Sequence, residues 1–153
     1  LVGRRRAPVV ASPMSRAVDT ATLAGFGDLT ICDDLREWDY GVYEGRTTAD
    51  IRREVPDWSV WTHRCPGGET VDDVGARADR VIALAREMKG DVALFGHGHQ
   101  LRVLAARWCG LMATEGRVLA LAPGSISMLS YERETPVIGC WNQVAGDDDD
   151  WTT

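Results

Sequence analysis

Asp91-Val92-Ala93-Leu94-Phe95-Gly96-His97-Gly98-His99-Gln100-Leu101-Arg102-Val103-Leu104-Ala105-Ala106-Arg107-Trp108-Cys109 changes structural period within a few residues. Asp91 to Phe95 reads as a buried strand, closed by glycine. From about Gln100 to Cys109 the spacing predicts a helix. A strand feeding directly into a helix is the unit of a parallel α/β sheet, whose ligands lie beyond the carboxyl ends of the strands. At the corner between them, His97 stands between two glycines. Glycine lets backbone N–H groups approach a ligand closely, and the helix N-terminus adds partial positive charge. A histidine so placed can take a proton beside a bound phosphate and donate to its oxygens. The plainer alternative is a core histidine that holds the turn. Arg102, one turn further on, can reach the same pocket or brace the loop.

Outward from that corner, Pro8-Val9-Val10-Ala11-Ser12-Pro13-Met14-Ser15-Arg16 repeats the form. A strand stops at Ser12-Pro13, and a helix is expected from about Met14 to Leu23, ended by Gly25. Arg16 falls in its first turn, against the helix dipole, a placement that an anion shared with that helix end would relieve. Otherwise Arg16 faces solvent or pairs with Asp19. A second strand is expected at Leu29–Cys32, then an irregular stretch over 33–46. Thr47 and Thr70 each open a helix with a capping-box pattern, the first stopping near Pro56 and the second at Gly90. Ser125–Glu132 and Val137–Trp141 alternate like antiparallel strands around Glu134-Thr135-Pro136. The expected fold is α/β, a three-layer αβα sandwich with a mostly parallel sheet. One domain is expected over 1–146, with an acidic tail over 147–153.

Composition narrows the chemistry. The chain has 153 residues and a net charge of −6, which argues against a nucleic-acid surface. Charges interrupt every apolar run of membrane-span length, and the basic Leu1-Val2-Gly3-Arg4-Arg5-Arg6 lacks the apolar stretch of an export signal. Cys32, Cys65, Cys109 and Cys140 form no C-x-x-C pair, and none has an arginine six positions later. Zinc, redox and cysteine-nucleophile readings therefore fail, and a reducing cytoplasm is the default location. His97 and His99 are spaced H-x-H, but the glycines predict a turn rather than a ligating strand, so no metal is expected. The sequence leaves a homo-oligomer open.

The stretch Asp33-Asp34-Leu35-Arg36-Glu37-Trp38-Asp39-Tyr40-Gly41-Val42-Tyr43-Glu44-Gly45 is dense in side chains that shape pockets. If phosphate sits against Arg16 and His97, its hydrolysis needs an acid for the leaving oxygen. Glu37, shielded by Trp38 and Tyr40, is the first candidate and Glu44 the next. The structural alternative pairs Glu37 with Arg36 or uses it to cap the loop. Trp58, Trp61 and the turn over 65–70 either wall the site or pack beneath it.

Ser12-Pro13-Met14-Ser15-Arg16, Leu35-Arg36-Glu37 with Gly41 and Glu44-Gly45, Gly68-Glu69-Thr70, and His97-Gly98 together resemble the histidine phosphatase superfamily, the phosphoglycerate-mutase-like group. The version Asp34-Leu35-Arg36-Glu37-Trp38-Asp39-Tyr40-Gly41 is similar to a branch with acid phosphatases and sugar-bisphosphatases. The resemblance implies a phosphomonoesterase that works through phosphohistidine, without metal or organic cofactor, on a phosphorylated small molecule. Carried over by position, Arg16 binds the phosphoryl group, His97 is the second histidine, and Glu37 is the acid. Ser12, Trp38, Tyr40, Gly98 and Arg102 are expected around the substrate. The family's attacking histidine belongs to an Arg-His-Gly triplet, which these residues do not contain. The expectation is a domain without the family's first strand and helix, inactive as it stands. A mutase and a phospho-ligand binding protein are the alternatives.

Overall fold

Three short apolar runs, each followed by a Ser-Pro, Gly or Asp turn signal, supply the parallel sheet. The computed structural model describes residues 7–144, so the basic opening segment and the acidic tail lie outside the described residues. Strands β1 (Val9–Ala11), β2 (Leu29–Ile31) and β3 (Ala93–Phe95) run parallel in the order β2-β1-β3. Val10 stands opposite Thr30 on one side and Leu94 on the other. β1 is central among them and buried along its whole length.

The two-residue period of a strand sends Val10 to one face and Val9 and Ala11 to the other. Val10 enters the main core with residues of helices α3 (Val71–Glu87) and α4 (Gly98–Trp108). Helix α1 (Ser15–Leu23) packs against β1 and β3 with Ala17 and Ala21 buried. This gives the expected αβα layering. Within the main core, Val74, Ala78, Val81 and Ile82 of α3 face Val103 and Leu104 of α4. Helix α3 opens on a complete capping box between Thr70 and Asp73. The short α2 (Thr48–Arg52) has only half of one, because the Asp50 carboxylate takes the Thr47 hydroxyl instead of its backbone N–H.

Several boundaries differ from the sequence reading, and two of them have a visible cause. Helix α4 starts at Gly98, not near Gln100, because the Glu37 carboxylate caps it from another part of the chain. A local reading of periodicity has no access to such a cap. Strands β4 (Ile126–Glu132) and β5 (Thr135–Gln143) form a separate hairpin that includes Thr135 and Pro136. The turn is made instead by Arg133, in the left-handed region at φ 56°. Pro136 is tolerated because each strand of a two-stranded hairpin has an open edge. Trp108 Nε1 donates to the carbonyls of Ser130 and Val137, tying the hairpin to α4. No helix among the described residues is long and apolar enough to cross a membrane.

Candidate active site

The two strand-to-helix corners meet. The backbone N–H of Ser12 donates to the Phe95 carbonyl at 2.9 Å, which draws the end of β1 to the end of β3. Arg16 turns toward His97 rather than pairing with Asp19, and its Nε donates to His97 Nδ1 at 3.0 Å. Because a guanidinium is only a donor, Nδ1 must accept, and the ring proton sits on Nε2. Nε2 then donates to Ser12 Oγ at 2.8 Å. Ser12 is fully buried and His97 is 6% exposed, whereas Arg16 lies open to solvent. Burial first, and then the Arg16 charge, hold the His97 imidazole below its ordinary pKa, with Glu37 opposing them. His97 is therefore the neutral N-cap of α4, and both its nitrogens are engaged.

Glu37 lies at the same helix end. Its Oε1 accepts the N–H groups of Trp38 and Gln100, and Oε2 accepts that of His99, at 2.9 to 3.3 Å. Arg36 pairs instead with Asp33 at 2.9 Å, which removes one of the alternatives for Glu37. The capping role is real, and it sets the carboxylate beside the corner that carries His97. Oε2 has a single long N–H contact and keeps a lone pair. Gly98 is exposed, and a Cβ there would meet Glu37 Oε2 at an ordinary 3.7 Å, so the pocket does not require glycine for space.

The H-x-H pair diverges because the helix has already begun. His97 points to Ser12 and Arg16, while His99 Nδ1 lies 2.6 Å from the Tyr40 hydroxyl. Burial pushes the Tyr40 phenol far above its ordinary range, so the hydroxyl that meets His99 keeps its proton. His99 meets the rings of Trp38, Tyr40 and Trp61 edge-on at 5.3 to 6.2 Å. Beyond it opens a cavity of about 470 Å³, bordered by Tyr40, Tyr43, Trp58, Trp61 and His99. Arg16, Glu37 and His97 do not line this cavity, which reaches their cluster through His99, whose backbone N–H bonds Glu37.

One expected substrate contact is corrected, and another has structural partners of its own. Trp38 is 1% exposed, with Nε1 on the Glu69 carbonyl, so it supports the site from within the core and cannot touch a ligand. Arg102 braces the loop: its guanidinium donates to the carbonyls of Gly116 and Arg117 and stacks 4.7 Å from the Trp61 ring centre. Trp61 and Trp58 border the cavity. Glu44 sits on its rim, where Oε1 accepts the Tyr40 N–H.

Set beside known proteins, this arrangement has many counterparts. The family model described as "Histidine phosphatase superfamily (branch 1)" matches residues 1–144. The chain belongs to the histidine phosphatase superfamily. Among curated relatives, an acid phosphatase of Mycobacterium tuberculosis is 45% identical over 136 residues, covering 86% of this chain and 67% of that protein. A sedoheptulose 1,7-bisphosphatase of Saccharomyces cerevisiae is 38% identical over 101 residues, covering 54% of this chain and 37% of that one. A solved structure of an open reading frame product of M. tuberculosis superposes with a TM-score of 0.85 at 41% identity, covering 90% of this chain and 72% of that one. This histidine phosphatase chain thus spans about two thirds of the acid phosphatase and much less of the bisphosphatase.

What holds the Glu37 loop is absent from the sequence reading. Arg77 of α3 makes a two-point ion pair with Glu69 at 2.7 Å and donates to the carbonyls of Asp34 and Arg36. The signal was present: with Val74, Ala78 and Val81, Arg77 falls on the apolar stripe of α3, where a charge needs a partner. Gly41 and Gly68 form a second lock. At Gly41, φ is 54°, and an added Cβ would collide with the Pro66 carbonyl oxygen and the Gly68 nitrogen. Gly41→Ala is expected to lower stability by about 2 kcal/mol, through backbone strain and forced separation of the two loops. Chemical denaturation compared with Gly45→Ala, where φ is also positive but no atom lies within 4 Å, separates strain from collision.

Proposed function

We propose that residues 1–146 act as one unit, the phosphoryl-binding body of a phosphomonoester hydrolase that works through phosphohistidine. The observation that carries this reading is the meeting of Ser12, Arg16 and His97 with Glu37 at the N-terminal end of α4. Arg16 supplies a fixed positive charge, and an arriving phosphate dianion competes for its N–H groups. Once Nδ1 of His97 loses that donor, it can take a proton and donate to a phosphate oxygen. The α4 dipole adds to the attraction for the anion. Glu37 Oε2 stands ready to carry the proton that the leaving alcohol oxygen requires.

The resemblance assigns the attack on phosphorus to an Arg-His-Gly histidine. The three histidines of this sequence are His63, His97 and His99. His63 is exposed and bonds with Ser59 and Thr62, far in sequence from either corner. None of the three follows an arginine and precedes a glycine, and in this reading none is the nucleophile. Its test is to join a segment carrying Arg-His-Gly ahead of Leu1 and to follow p-nitrophenyl phosphate hydrolysis. Phosphate release that disappears with His97→Ala supports the proposal, and release that is indifferent to that substitution contradicts it. Acid phosphatase and sugar-bisphosphatase relatives make phosphorylated sugars the substrates to try first.

The two histidines also predict a pH dependence. His97 is depressed by burial and then by Arg16; His99 is depressed by burial, opposed by Glu37 and assisted by Arg102. In the unfolded chain both titrate near the ordinary 6.5. Just below that pH the unfolded state binds more protons, so their contribution to stability is present above 6.5 and is lost as pH falls through the folded values. The thermal midpoint should therefore drop between about pH 7 and about pH 5, and drop less in His97→Ala. Saturating phosphate should also flatten the decline, because the bound dianion favours the imidazolium of His97.

A further inference from the structure

We infer that the cavity beside the Ser12–Arg16–His97 cluster seats the hydroxyl-bearing alcohol half of the phosphoester, and that His99 is the residue that reads it. This rests on the phosphoryl site proposed above and adds which leaving groups that site prefers. The cavity, at about 470 Å³, is of the size that holds a small molecule. Its aromatic border offers flat apolar surface, and its polar groups are unevenly satisfied.

The Tyr40 hydroxyl occupies His99 Nδ1 at 2.6 Å, and Nε2 of the same ring has no partner among the described residues. Arg52, also on the border, uses Nε on the Trp58 carbonyl at 2.8 Å and leaves the rest of its guanidinium without a partner among them. Arg46, by contrast, is matched by Glu54 at 2.6 Å. Unpartnered nitrogens of His99 and Arg52 beside aromatic rings suit a molecule with several hydroxyl groups. A purely aromatic leaving group would fill the volume and leave those nitrogens unmatched. Sites built to hydrogen-bond a hydroxyl discriminate strongly against ligands that lack it.

His99 joins the two halves within one residue. Its backbone N–H holds Glu37 Oε2 at 3.3 Å, while its ring borders the cavity. Edge contacts with Trp38, Tyr40 and Trp61 fix the ring plane, so Nε2 points in a set direction. A sugar hydroxyl bonded there would set the ester oxygen of the same molecule beside Glu37.

Calorimetry on the 153-residue chain tests this, with ribose 5-phosphate and inorganic phosphate as ligands and the ratio of their affinities as the readout. The parent is expected to favour ribose 5-phosphate by about tenfold. His99→Phe keeps a ring and loses both nitrogens, and should bring the ratio close to one; His99→Gln, with an N–H donor of similar reach, should restore part of it. If His99→Phe does not fold, His99→Asn, whose amide falls short of the Nε2 position, makes the same comparison. A parental ratio near one overturns the inference. So does a ratio unchanged in the variants, including the case in which both ligands weaken together, as a structural role of His99 would produce. Failure of the parent to bind either ligand defeats the phosphoryl site itself and is a distinct result.

Discussion

Arg16→Ala is expected to weaken binding of inorganic phosphate to the chain by about 100-fold at low salt. A hydrogen bond to a charged partner contributes about 1.5 to 3 kcal/mol, and two such bonds from one guanidinium reach the roughly 3 kcal/mol that this factor needs. Arg16 is exposed and its only ring partner is His97 Nδ1, so its loss leaves no large hole in the core. The folded state should survive, and a thermal midpoint within a few degrees of the parent checks this. Arg16→Lys should recover little, since an ammonium is a point charge and cannot bond His97 and an oxyanion in the same plane. His97→Ala should cost less, about tenfold, because a neutral imidazole must first gain a proton before it helps the anion. Isothermal titration of the three variants against phosphate measures the order directly.

Arg77→Ala should be the most destabilising of the single changes considered, by about 3 kcal/mol. Its side chain is 12% exposed and that of Glu69 is 23%, so removal of one partner strands a largely buried carboxylate. It also frees the Asp34 and Arg36 carbonyls that Arg77 holds, on either side of buried Leu35. For a domain of this length the expected fall in thermal midpoint is about 6 to 12 °C. Exchanging both partners for apolar residues, Arg77→Met with Glu69→Leu, should recover part of the loss, since no charge is then left alone. The Asp39 N–H, which donates to Glu69 Oε2, still loses its acceptor, so recovery is incomplete. Urea denaturation of the single and double variants separates these contributions.

The parts of the molecule legible in the sequence were those written in local patterns. Strand-to-helix corners at Ser12 and His97 follow from apolar runs that stop at Pro or Gly and resume with helical period. The Thr70 cap and the Gly25 stop are likewise short-range signals, whereas α3 ends at Glu87, ahead of the Gly90 stop the sequence offered. Arg16, Glu37 and His97 were singled out from position and chemistry, and the fold places them around one helix end. Whether they act on a phosphoester is the proposal, not a geometric fact.

Long-range features escaped. Glu37 caps α4 from a loop some sixty residues earlier in the chain, so the start of that helix could not be read locally. Trp38 looked like a pocket wall because aromatic residues often are, but its indole N–H finds a buried carbonyl on Glu69 and the ring sinks into the core. The bracing by Arg102 depends on the carbonyls of a turn fourteen and fifteen residues later. The close contact of Gly41 with Gly68 unites two loops, each of which on its own reads as an ordinary turn.

A crystal structure of this chain with inorganic phosphate tests the central reading most directly. The expected density is a tetrahedral anion within hydrogen-bond distance of both the Arg16 guanidinium and the His97 ring, about 2.7 to 3.2 Å, with the Arg16–His97 bond broken to admit it and Glu37 facing the anion's outer oxygen. Phosphate bound elsewhere at concentrations that saturate the chain, with His97 still held by both Arg16 and Ser12, would contradict it.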